Sequence, residues 1–293
     1  MQIVSVLNHK GGVGKTTLTA NLGAGLAARG KKVLLIDLDP QASLSLSFFT
    51  SEEWSVLAGR TIKDWLVPDS GLDDMKPLIS SPPRVNDRLG FSSGYLDMIV
   101  ADNDLDQFNE RAIARTAADP STFAEVHDRL RHGLSMPAMA EYDIVLLDCS
   151  PGFDALGRSA VAACDLLLIP TRPDYLSTNG IQSLGKKIVD FVATFNSHRG
   201  KLSPVRRPAP SIVFTMVQMY GGRPIADQRP YMAQVVTPNL PAFESMMSDS
   251  KSVYGPAPNH GVPVVLGGLG RAQTRELREI VTELTERLEN LVP

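Results

Sequence analysis

The chain has 293 residues, 43% hydrophobic and 21% charged, ordinary for a soluble globular protein and enough for one large α/β domain or two small ones. A net charge of −3 excludes a global basic field, so any nucleic-acid contact must come from a local patch. The two cysteines, Cys149 and Cys164, build neither a metal cluster within one chain nor a disulfide framework, and no apolar run reaches the roughly 18 residues of a membrane span; a reducing cytoplasm is expected.

Gln2 to Leu7 reads as a buried strand, without a basic leader, and Leu18 to Ala28 as a helix rich in Ala and Leu. Between them stands His9-Lys10-Gly11-Gly12-Val13-Gly14-Lys15-Thr16-Thr17. Strand, glycine loop, helix is the context of a phosphate loop. The glycines let the backbone curl so that successive N–H groups face an anion, and the helix adds the positive end of its dipole. Gly11, Gly12, Val13, Gly14, Lys15, Thr16 and Thr17 are the candidate nucleotide contacts. Lys15 would neutralise the β and γ phosphates, and the Thr16 hydroxyl would ligate Mg²⁺. The common pattern begins with Gly; here His9 holds that place and a second lysine, Lys10, follows.

Lys32 to Asp37 is a second buried strand, ending in Asp37-Leu38-Asp39-Pro40-Gln41. Strand, loop helix and strand make a right-handed βαβ unit. Its acidic tip lies at the carboxyl end of the strand, where ligands of open α/β sheets bind. Thr61 is a candidate N-cap for a short helix. Ser80 to Arg88, with two prolines, reads as a surface loop. Leu96 to Val100 reads as a short strand; Leu105 to Thr116 and Thr122 to Leu134 read as helices. Ile144 to Leu147 is a buried strand ending in Asp148, a second candidate Mg²⁺ ligand, acting through a water. Asp165 to Pro170 is a further strand, followed by a helix from Ser177 to Phe195. Ser211 to Val217 is the next strand. The last helix, Arg271 to Leu291, places Leu277, Ile280, Val281, Leu284, Leu288 and Leu291 on one stripe.

Lys10-Gly-Gly-Val-Gly-Lys15-Thr-Thr resembles the deviant Walker A loop of the ParA/MinD group of P-loop ATPases, closest to the ParA-like partition ATPases. Asp37-Leu-Asp39-Pro-Gln resembles that family's D-x-D-P-Q segment, and Asp148 its Walker B aspartate, with Ser150 standing where a proline is usual. Cys164 to Ile181 and Met219 to Arg223 resemble later family segments, the latter with Gly221 in place of Asp. The resemblance implies a mostly parallel twisted sheet with helices on both faces, as a single domain over residues 1–293. It implies a Mg²⁺-dependent ATPase that dimerises on ATP, with Lys15, Lys10 and Asp39 as catalytic residues. Lys10 would reach the partner's phosphates, and Asp39 would position the attacking water. Gln218, Met219 and Pro241 would border the base, and Asp174 would lie near the dimer face.

The implied biology is segregation or positioning of plasmid, chromosome or other cargo. The ATP dimer would bind non-specific DNA, so the protein would be cytoplasmic and nucleoid-associated. A centromere-binding or adaptor protein would stimulate hydrolysis. Arg206, Arg207, Arg223 and Arg229 are the candidate DNA contacts. The alternatives are a MinD-like membrane-positioning ATPase, a nucleotide-dependent reductase, and a metabolic P-loop enzyme. The first needs a basic amphipathic tail, whereas Glu276, Glu279, Glu283, Glu286 and Glu289 make residues 276–293 repel anionic lipid, so no membrane contact is expected. The second needs cysteines placed to share a cluster across a dimer.

Overall fold

A computed structural model describes residues 1–67, 72, 74–90, 92–267 and 270–291. In the first half, strands β1 (Gln2–Val6), β2 (Lys32–Leu38), β3 (Ile79–Ser80) and β4 (Tyr95–Ile99) alternate with helices α1 (Lys15–Ala27), α2 (Ser45–Phe48), α3 (Ser51–Val56), α4 (Ile62–Leu66), α5 (Pro83–Leu89), α6 (Asp106–Ala118) and α7 (Phe123–Leu134). The second half adds β5 (Ile144–Cys149), α8 (Ala155–Ala163), β6 (Leu166–Thr171), α9 (Tyr175–His198), β7 (Ala209–Phe214), β8 (Met219–Tyr220) and β9 (Arg223–Pro224). It closes with α10 (Arg229–Val235), α11 (Lys251–Tyr254), α12 (Ala257–His260) and α13 (Arg271–Glu289).

The main sheet has seven strands in the order β3-β4-β2-β5-β1-β6-β7. All neighbours are parallel except β3, which runs antiparallel to β4 at the edge. This is the expected mostly parallel, doubly covered sheet. Alternation along β1 explains the two layers: Val4 and Val6 enter the core shared with α1 and α13, while Ile3 and Leu7 enter the core shared with α8 and α9. Helix α1 is buried almost all round. Its glycines permit that: a Cβ on Gly25 would come within 2.6 Å of Val281 on α13, and one on Gly23 within 2.6 Å of Leu35 on β2.

One segment departs from expectation. Ser80 to Arg88 is not a loop; Pro83 opens α5. A proline in the first turn costs no hydrogen bond and starts a helix as well as it breaks one. Arg84 then pins α5 to Glu53 at 2.6 and 2.9 Å and to the Phe48 carbonyl at 2.8 Å. The apolar stripe of α13 is spent inside the fold, since Leu277, Ile280, Val281, Leu284 and Leu288 are all buried. Residues 292–293 of the acidic tail lie outside the described residues.

Candidate functional site

The carboxyl ends of β1, β2 and β5 converge. The loop after β1 turns through Gly12 and Gly14, at φ 69° and 83°, a region that L side chains enter only with strain. Two side chains fix it, one from the loop itself and one from beyond β7. Asn8 receives the Lys10 amide at 3.0 Å and donates to the Pro170 carbonyl at 2.8 Å. Thr215, just past β7, donates to the Val13 carbonyl at 2.7 Å. Lys15 is 6% exposed, and its ammonium lies 3.4 Å from the Lys10 carbonyl. Burial draws that ammonium below the ordinary lysine range, with Asp148 and Asp39 among the groups acting against it.

Asp148, one residue before the end of β5, has no exposure and accepts from Thr16 at 2.7 Å and from Thr19 at 3.0 Å. Asp37 is its register partner on β2. Asp37 accepts from the Asp39 amide at 3.1 Å and from the amide and hydroxyl of Ser45, both at 2.8 Å. Burial raises both carboxyls; each also feels neighbouring negative charge, Asp148 that of Asp37 and Asp37 that of Asp39. Asp37 is therefore a bracket for the loop that carries Asp39. Asp39, 9% exposed, accepts from the Gln41 amide at 3.0 Å. The Thr16 hydroxyl and the Asp148 carboxylate are hard oxygen donors in contact beside the phosphate loop, a set that fits Mg²⁺ completed by water and substrate oxygens. The described residues hold no group of three or more His, Cys, Asp or Glu side chains that would bind a metal on its own.

At the rim, Lys10 folds onto its own chain. Its ammonium lies 3.3 Å from Asp174 and 2.9 Å from the Ser177 hydroxyl. Asp174 caps α9 through the Ser177 amide at 2.8 Å and meets Arg172 at 3.5 Å. Burial works to raise Asp174, but Ser177 and Lys10 outweigh it and hold the carboxyl below its ordinary value. His9 packs on α9 at Gly180, where an added Cβ would fall 2.1 Å from the ring. The residue that departs from the common loop pattern thus has its space made by a glycine elsewhere. Cys149 and Cys164 are both buried, so neither is presented for a shared cluster.

The remaining candidates divide. Gln218 and Met219 follow the carboxyl end of β7, on the side of the phosphate loop; Gln218 accepts from the Ile225 amide at 3.0 Å. Pro241 pairs through its carbonyl with Ile212, inside β7, at 2.9 Å. The segment that runs along the end of β7 is instead Met247 to Asp249, bonded to Phe214 and Val217. Arg206 and Arg207 are exposed before the amino end of β7, whereas Arg223 and Arg229 are exposed beyond its carboxyl end. The four arginines therefore do not form one patch within a chain.

A family profile described as "AAA domain" matches residues 1–199. The chain is 28% identical to the chromosome partitioning protein ParA of Caulobacter vibrioides over 293 residues, covering 98% of this chain and 95% of that protein. It is 34% identical over 183 residues to the sporulation initiation inhibitor protein Soj of Bacillus subtilis, covering 62% and 63%. The chain belongs to the ParA-like P-loop ATPases. Nucleotide hydrolysis is the chemistry that this family implies. An ATP complex of Cyanothece McdA superposes with a TM-score of 0.74 at 20% identity, covering 99% of this chain and 96% of that one. Cobyrinic acid a,c-diamide synthase from Mycobacterium smegmatis superposes at 0.69 and 20% identity, also over 99% and 96%. At such identities these structures establish the fold alone.

Sequence reasoning missed Thr19, Ser45, Ser177 and Thr215. Thr19 had a signal, since it lies one helical turn beyond Thr16 and shares its face. Ser45, Ser177 and Thr215 reach the site through tertiary packing and carry no local signature.

Proposed function

We propose that this chain is a dimerising switch that hydrolyses ATP to ADP and phosphate and positions plasmid, chromosomal or other cargo, acting as a single ParA-like domain over residues 1–293. The observation that carries the reading is the convergence of Lys15, Thr16 and Asp148 beneath the glycine loop, with Lys10 held at its rim. Lys15, drawn from water by burial that Asp148 and Asp39 do not fully offset, gains its counter-charge from the β and γ phosphates. The amides of residues 11–17 and the start of α1 bind the same phosphates. Thr16 and Asp148 would hold Mg²⁺, which supplies neutralisation of charge on the phosphates. Asp39 orients the attacking water from its place above Asp37. Gln218, Met219 and Pro241 are proposed along the base.

Lys10 acts in the second subunit. The contact with Asp174 and Ser177 parks it in its own chain, and the higher negative charge of a bound triphosphate draws it across the dimer. Loss of the γ phosphate removes that attraction and loosens the pair.

The ATP dimer binds DNA without sequence preference, in the cytoplasm and on the nucleoid, and an adaptor or centromere-binding protein accelerates hydrolysis. Arg223 and Arg229 lie on the nucleotide side, where dimerisation would double them. Arg206 and Arg207, at the opposite end of β7, form a separate pair. Four arginine–phosphate contacts per dimer give a slope of log affinity against log salt of about −4. Anisotropy on two unrelated duplexes, with ATP and with ADP across a salt series, tests this. Equal affinity on both duplexes, present with ATP and lost with ADP, is expected. Equally tight binding with ADP, or none with ATP at low salt, contradicts it.

A further inference from the structure

At the far end of α1 from the phosphate loop, three arginines from three elements face one recess of about 350 Å³. Arg29 follows α1, Arg88 lies in the last turn of α5, and Arg278 lies in α13. Leu89, Leu266 and Val281 contribute apolar wall, and among the described residues no carboxylate lines the recess. Arg29 is anchored through the Arg278 carbonyl at 2.9 Å and the Thr282 hydroxyl. Burial and the neighbouring Arg278 both work against the charge on Arg29, while Glu286 favours it. Glu279, one residue along from Arg278, pairs with Arg275 instead. Residues 90–92 and 267–270, which adjoin the recess in sequence, include no acidic side chain.

Arg278 works against the charge on Arg29, and an anion in the recess would relieve that repulsion. The planar guanidinium forks match the oxygens of a phosphate and can grip it in pairs. A recess of this volume, polar on the arginine side and apolar at Leu89, Leu266 and Val281, suits a small molecule that carries both kinds of surface. An extended DNA backbone would need a raised and continuous basic face. Helix α1 spans about 20 Å between Lys15 and this end, so the recess is separate from the nucleotide site.

We propose that the Arg29–Arg88–Arg278 recess is a second binding site, for the phosphate group of a small molecule with an apolar body. The test uses the whole chain saturated with Mg²⁺ and ADP, so that the phosphate loop is filled. Phenyl phosphate is titrated by calorimetry into the wild type and into the double variant Arg88→Ala/Arg278→Ala. Both side chains are exposed, and an unchanged ADP affinity confirms that the variant is folded. One saturable site per chain is expected, tighter for phenyl phosphate than for inorganic phosphate and weakened at least tenfold in the variant. DNA affinity measured with ATP is expected to be unchanged. Absence of saturable binding, or equal binding by the variant, overturns the proposal. A tenfold loss of DNA affinity in the variant also overturns it and gives the recess to backbone phosphates.

Discussion

Asp37 and Asp148, at the carboxyl ends of β2 and β5, have no exposure, yet each accepts at least two hydrogen bonds. His127, in the layer formed by α7, α8 and α9, is 2% exposed and has a different environment. Its ring meets Phe123 and Phe191 edge-on, and the Ser159 hydroxyl stands at 3.5 Å. Donors lower the cost of burying a charge, whereas aromatic walls do not. The first cluster can therefore keep ionisable groups beside a phosphate or cation and exchange partners. The second forces its group neutral. Changes in the first should alter binding and rate with modest effect on stability; changes in the second should alter stability and its dependence on pH.

Lys15→Ala should show the largest effect. It removes the buried cation proposed to face the phosphates and should weaken ATP binding by about 100-fold or more. Calorimetry checks this, and micromolar affinity retained by the variant would break the assignment of the loop. Asp39→Ala should bind ATP nearly as well as wild type but turn it over about 100-fold more slowly. A steady-state phosphate assay with a parallel binding curve separates the two, and wild-type turnover would remove Asp39 from the mechanism.

His127 sharpens the other side of the contrast. Burial first, and Arg158 second, hold it at about 4 instead of 6.5. A depressed histidine binds fewer protons in the folded chain than in the unfolded one. Its stabilising contribution is complete above about pH 6.5 and is lost as pH falls towards 4, a change of about 3 kcal/mol. Urea midpoints taken between pH 7 and 4.5 should fall in wild type, and fall less in His127→Leu. Parallel curves for the two proteins would show that acid sensitivity comes from elsewhere.

The same contrast explains what the sequence disclosed. The cradle is written in contiguous stretches at strand ends: glycines with flanking lysines, and two strands that stop at aspartates. Each piece has a local chemical signature, so Lys15, Thr16 and Asp148 could be named before the fold was known. Helices α4, α6, α7 and α13 were legible from capping and periodicity. Pro83 was not, because a proline marks a helix start and a loop alike. Ser45 beneath Asp37 and Ser177 beside Lys10 became visible only through packing across elements. His127 in α7 carried no sign that aromatic rings from two helices would enclose it. Arg206 and Arg223 looked alike as exposed basic residues, and only the direction of β7 set them at opposite ends.

The central claim is that Lys10 leaves Asp174 and Ser177 to act on the partner's nucleotide. Sedimentation velocity on Lys10→Ala with Mg²⁺ and ATP tests it most directly, alongside wild type and with ATP affinity measured on the same samples. Lys15 remains in place, so the variant should keep ATP affinity within about threefold of wild type. Its ATP-dependent dimerisation should weaken by about tenfold or more, since two charge-assisted contacts are lost per dimer. A variant that binds ATP and dimerises with the wild-type constant would contradict the account.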